Sequence, residues 1–107
     1  MITFQQLREA NAKRQDEWEA GTEFSLVYLG NAMAGECGEA CNVIKKLERE
    51  RLGARGSKAS AQDLGEELAD IIIYADLIAR KMNIDLGEAV RDKFNKTSEK
   101  YELGVKL

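Results

Sequence analysis

The chain has 107 residues, enough for one domain with a modest core and too few for two lobes. Hydrophobic residues make up 44% and charged residues 33%, an ordinary globular balance, and the net charge of −3 argues against a nucleic-acid surface, which needs a basic excess. No apolar run reaches the length of a membrane span, and the start MITFQQLREAN lacks the apolar stretch of a signal peptide, so the chain reads as cytoplasmic with no membrane partner.

Proline is absent, and the long segments show helical rather than alternating periodicity, which predicts an all-α fold in one domain spanning residues 1–107. Thr3 with Gln6 has the form of a capping box, and Ile2 is placed to staple onto Leu7. A first helix follows, running to about Glu19. Its polar run of Arg8, Glu9, Lys13, Arg14, Asp16 and Glu17 puts it on the outside. Trp18, the single tryptophan, stands just before the Ala20-Gly21 break. It either packs the helix end onto the core or forms a stacking platform at the mouth of a site.

Thr22 is the expected N-cap of a second, longer helix that ends near Arg51. Leu29, Met33, Ala40, Val43 and Leu47 share one stripe at helical spacing, and Glu36 falls in the middle of it. The opposite stripe is polar or small (Asn31, Gly35, Gly38, Asn42, Lys45, Arg49). Glu36 therefore points inward, where a lone carboxylate is costly. Cys37 and Cys41, the only cysteines, lie on the same helix. With no histidine in the chain a Cys/His zinc site cannot be completed, so they read as two small buried helix residues, reduced in the cytosol.

The stretch LGARGSKA, Leu52 to Ala59, reads as a loop, after which Ser60 and Asp63 cap a third helix reaching Met82. That helix carries Leu68, Ile71, Ile72, Ile73, Tyr74, Leu77 and Ile78, apolar nearly all round, as in a central helix buried on several sides. Glu67 shares a stripe with Leu64, Ile71, Tyr74 and Ile78, a second acid on an inward face. Asp85 with Glu88 opens a fourth helix, ending near Tyr101, whose apolar positions are Leu86, Ala89, Val90 and Phe94.

Two acid pairs stand out: Glu36 with Glu39, and Glu67 with Asp70. Each is spaced i, i+3, which sets two carboxylates on one helical face. A solvated surface suits most acids here, but not two that interrupt apolar stripes. An ion-paired network with Lys45, Lys46, Arg91 or Lys93 would compensate them. So would a divalent cation, because four carboxylates in a partly dry space cannot all stay ionised unaided. Hard cations such as Mg²⁺ or Mn²⁺ prefer oxygen ligands and suit phosphate chemistry. Without histidine the Glu-x-x-His di-iron pattern is excluded. Gly35, Gly38 and Gly65 cluster beside the acids, each costing about 1 kcal/mol relative to Ala inside a helix, so a helix or ligand is expected to approach closely there. Lys46, two turns after Glu39 on the same side, is a phosphate candidate from spacing alone.

Glu36-x-x-Glu39, 27 residues, then Glu67-x-x-Asp70 resembles the signature of the MazG-like all-α nucleoside triphosphate pyrophosphohydrolases, a group related to dCTP pyrophosphatases and dimeric dUTPases. The likeness covers Phe24 to Tyr101 and includes GECGEA, EELADIIIYA, IDLGEAV, Lys93 and Tyr101. In its compact form the chain looks most like short phage or mobile-element members. The resemblance implies a four-helix bundle completed by subunit pairing, as a homodimer or homotetramer with sites at the subunit junction. It implies Mg²⁺-dependent hydrolysis of (deoxy)nucleoside triphosphates to the monophosphate and pyrophosphate. Glu36, Glu39, Glu67 and Asp70 would then hold the metal, with one of these carboxylates, Glu39 or Glu36, also orienting or deprotonating the attacking water. Lys93 would contact phosphate, Tyr74 would lie near the sugar or phosphates, and Trp18 would match a base-stacking aromatic. Thr97 stands where the dCTP pyrophosphatase branch has Asn, so no base preference carries over. The alternative is a non-catalytic helical adaptor or degenerate relative that keeps the fold; it predicts broken acid pairs, whereas all four acids are present.

Overall fold

A computed structural model describes all 107 residues as four helices and no strands: α1 (Phe4–Glu19), α2 (Leu26–Arg51), α3 (Ala61–Lys81) and α4 (Leu86–Lys100). The capping box at Thr3 forms as read, with the Gln6 N–H donating to Thr3 Oγ1 at 3.1 Å and the Thr3 N–H donating to Gln6 Oε1 at 2.8 Å. A second box opens α3, where Ser60 and Asp63 exchange bonds of 3.1 and 2.7 Å. At α4 only one arm is made: Asp85 accepts from the Glu88 N–H at 2.9 Å.

The start of α2 differs from expectation. Its N-cap is Ser25, which accepts from the Tyr28 N–H at 3.1 Å, rather than Thr22. Ala20 and Gly21 both take left-handed conformations to end α1, and the Thr22 N–H closes that turn on the Glu19 carbonyl at 2.9 Å. Thr22 thus belongs to the reversal, and Ser25 is the next residue able to cap. In the 52–60 loop, Arg49 donates to the Ser57 carbonyl at 2.8 Å. Its guanidinium lies across Gly56, whose φ of +143° and lack of a side chain both suit glycine.

The core lies mainly between α2 and α3, with α1 laid across α3. Leu29, Ala40, Val43, Leu77 and Ala79 are its buried apolar residues, three of them from the predicted α2 stripe. A polar pin fastens α1 to α3. Asp76, 1% exposed, receives Arg8 Nε at 2.8 Å and Asn11 Nδ2 at 3.0 Å, and Arg8 also donates to the Ile84 carbonyl at 2.9 Å. Every strong acceptor of Asp76 is thereby matched, which is what permits a carboxylate in the core.

α4 does not join the α2–α3 layer; its main contact is with α1, where Phe4 lies beside Gly87. Consequently the chain is extended. Its radius of gyration is 17.0 Å, against about 13 Å for a compact chain of this length. It exposes 8063 Å², against about 6,000 Å² for a compact monomer of this mass. The expected all-round burial of α3 fails for the same reason: Leu68 and Ile72 are 49% and 48% exposed. Cys37 and Cys41 also lie on the surface as free thiols, not in the core, because the flank of α2 that carries them meets no other helix of this chain.

Candidate metal centre and substrate cavity

Antiparallel packing of α2 on α3 brings the two acid pairs face to face. One carboxylate oxygen each from Glu36, Glu67 and Asp70 lies within 4.8 Å of the others. Such a cluster could be an ordinary acidic surface, but two of its oxygens say otherwise: Glu36 Oε2 and Glu67 Oε2 are buried with no hydrogen-bond partner. Leaving a buried carboxylate oxygen unpaired is expensive, so these groups fit a hard divalent cation, which takes oxygen ligands and supplies the missing charge. No ion pair of the chain reaches any of the four acids, so the alternative, compensation by Lys45, Lys46, Arg91 or Lys93, is not made within one chain.

Electrostatics records the crowding. Burial, then the Glu39 and Asp70 charges, raise the Glu36 carboxyl above its ordinary value. Glu67 is pushed up to about 7, first by burial and then by Glu39 and Glu36. Glu39 is thus a close neighbour of both, although it is exposed and stands outside the tightest trio.

A cavity of about 260 Å³ opens on Glu36 and Asp70 and continues between α1 and the start of α2. Tyr74 forms part of its wall, and its hydroxyl is held above the usual tyrosine value by burial and by the Glu36 charge. Trp18, 72% exposed, stands on the same lining, so the tryptophan frames the cavity instead of packing on the core. Phe24 and Tyr28 complete the aromatic wall with ring centroids 4.3 Å apart. Arg14 and Gln15 of α1 close the remaining side.

Among the residues singled out from sequence, Glu36, Asp70, Tyr74 and Trp18 therefore share one cavity, with Glu67 and Glu39 beside it. Three do not. Lys46 lies half-buried further along α2, where its charge acts on Asp63. Lys93 and Thr97 line an apolar groove of about 610 Å³ on α4 with Leu86, Val90, Phe94 and Leu103. They stand apart because α4 turns away toward α1. Gly35, Gly38 and Gly65 do not mark a close helix approach either, since the space beside each is open. Sequence reasoning missed Arg14, Gln15, Phe24 and Tyr28. Arg14 and Trp18 do share an i, i+4 face, but nothing in that spacing links α1 to acids on other helices.

An all-α chain that gathers carboxylates between its two longest helices, beside an aromatic cavity, is a helical protein with a carboxylate-rich candidate metal centre. The sequence pattern of the MazG-like family matches residues 41–106, and the chain belongs to that family. The match takes in Glu67, Asp70, Tyr74 and Lys93 but begins just after Glu36 and Glu39. The chain is also 29% identical over 80 residues to the gene 37 protein of Mycobacterium phage L5, covering 75% of this chain and 69% of the relative. No helix is long and apolar enough to cross a membrane.

Proposed function

We propose that the chain hydrolyses nucleoside triphosphates, ribo or deoxyribo, to the monophosphate and pyrophosphate, with Mg²⁺ or Mn²⁺ as cofactor, as nucleotide-pool housekeeping. The observation that carries this reading is the pair of buried, unpartnered oxygens of Glu36 and Glu67, set in a carboxylate cluster beside an aromatic-walled cavity. Membership of the MazG-like family supports it.

Glu36, Glu67 and Asp70 hold the cation, and Glu39 flanks them. When bound, the cation supplies positive charge to phosphate oxygens and makes a bound water more acidic. Glu39, exposed beside the trio, orients the attacking water and takes its proton. The water oxygen bonds to the α-phosphorus as the link from that phosphorus to its bridging oxygen breaks, and pyrophosphate leaves carrying that oxygen. Trp18 stacks on the base, and Tyr74 borders the sugar and phosphates. A pyrophosphate-release panel over the eight common triphosphates with Mg²⁺ tests the reading. Release from at least one, lost on chelation, is the expected result; no release from any would leave a non-catalytic helical protein.

The subunits are proposed to pair. About 2,000 Å² of surface beyond that of a compact monomer is of the order that obligate interfaces bury, and much of it is apolar, on Leu68, Ile72 and Ile44 and on the α4 groove. Lys93 and Thr97 can serve the acid cluster only from a partner subunit. Light scattering at micromolar concentration should give a mass at least twice 12.0 kDa, and a monomer mass would remove the pairing.

A further inference from the structure

The cavity also carries one positively charged side chain. Arg14 is the only lysine or arginine on its lining, which also carries Glu36 and Asp70. It makes no ion pair with either acid, nor with any other residue; its nitrogens lie more than 4.0 Å from every carboxylate oxygen. Its positive charge nevertheless reaches the site, partly offsetting the rise of the Tyr74 hydroxyl. Unpaired carboxylates on α2 and α3 thus face an unpaired guanidinium on α1 across a space of about 260 Å³.

A triphosphate brings three to four negative charges into a site already holding four carboxylates, and one divalent cation offsets two. Further positive charge is needed where the phosphates sit. An arginine meets that need best, because its planar fork matches two phosphate oxygens at once and stays charged at every working pH. Lys46 and Lys93 do not line this cavity, so within one chain the task falls to α1.

We infer that Arg14 is the phosphate anchor of the cavity: its guanidinium takes a phosphate of the triphosphate from the α1 side, facing the carboxylates. Arg14 is thereby a substrate-binding residue whose charge offsets that of the acid cluster. This assignment rests on the reading of the site as a triphosphate site.

Calorimetry with the α,β-methylene analogues of the four deoxynucleoside triphosphates, in Mg²⁺, separates the two. Arg14→Met should weaken every analogue that the wild type binds by a similar factor, about 10- to 100-fold, as expected for losing a charge-assisted pair. Arg14→Lys should restore part of that loss by keeping the charge without the fork. Because Arg14 is exposed and unpaired, both variants should keep the wild-type helical circular dichroism and melting temperature. Equal binding by wild type and Arg14→Met overturns the anchor and leaves the triphosphate reading intact. A loss confined to one base also overturns it, since that marks an arginine reading a base edge. A wild type that binds neither these four nor the four ribonucleotide analogues overturns the site reading and the anchor together.

Discussion

Glu36→Gln should abolish pyrophosphate release while the helices stay intact. Glu36 belongs to the tightest trio of carboxylates and owns one of the two orphaned oxygens, so its amide removes a charge from the middle of the candidate cation site. Loss of one preorganised electrostatic group at a reacting phosphate costs about 10²–10³-fold in turnover, and loss of a metal ligand at least as much. The cation-free protein should move the other way and melt a few degrees higher, because like-charge repulsion falls. Turnover within a factor of about ten of wild type, from a steady-state pyrophosphate assay, would remove Glu36 from the site.

The same variant has a signature in pH. In chelator, Glu67 titrates at about 7, against 4.5 when its surroundings are those of an unfolded chain. A carboxyl raised in the folded state makes the protonated form the better fit. Its stabilisation is fully present below 4.5 and is lost as pH climbs through about 7. Glu23, Glu48 and Asp63, held below their ordinary values by Lys81, Arg51 and Ser60, act in the opposite sense and at lower pH, outside that window. The melting temperature of the chelated wild type should therefore fall between about pH 5 and 7. Glu36→Gln, which deletes one of the charges that raise Glu67, should flatten the fall. An equal slope in both proteins would mean that the two carboxylates do not interact.

The largest effect on stability should come from outside the cavity lining, at Asp76→Ala. That change takes from Arg8 and Asn11 the carboxylate on which their donors converge at 2.8 and 3.0 Å, leaving Asn11 only the Ile73 carbonyl at 3.2 Å. Removing one partner of a buried ion pair costs about 3–5 kcal/mol. The lower end applies here, because Arg8 keeps its bond to the Ile84 carbonyl and is 25% exposed along its side chain. About 3 kcal/mol is a large share of the stability of a domain this small. Urea denaturation should show it as a lower midpoint at unchanged slope. A midpoint within experimental error of wild type would mean that the pin contributes nothing net. Since this network fixes α1 against α3, it also fixes where Trp18 and Arg14 meet the acids.

Local chemistry explains what was readable in the chain. Caps are made by residues three apart, so Thr3 with Gln6 and Ser60 with Asp63 marked two helix starts to within a residue. Thr22 misled because capping chemistry is shared by every Ser and Thr in a turn, and which one caps depends on how the preceding helix reverses. The α2 stripe predicted Leu29, Ala40 and Val43 as core because helical spacing alone decides which residues share a face. The same spacing turned Glu36 and Glu67 inward.

Periodicity carries no information about which helix lies opposite. The pairing of the two acid motifs into one cluster, and the burial of one oxygen on each, follow from α2 packing antiparallel on α3. The outward stance of α4, with Lys93 and Thr97 on a groove of their own, and the exposure of Leu68, Ile72 and both cysteines follow from which faces of a single chain find partners. Arg14 is the sharpest case. In sequence it is one charge among many on a polar helix; in the structure the Asp76 pin turns that helix so that Arg14 faces the carboxylates. The helices, their inward faces and the acids on them were legible in the chain, because those depend on neighbours three and four residues away. Which charges share a cavity was settled in three dimensions, by contacts between residues far apart in the chain, such as Glu36 with Glu67 and Asp70 and Asn11 with Ile73 and Asp76.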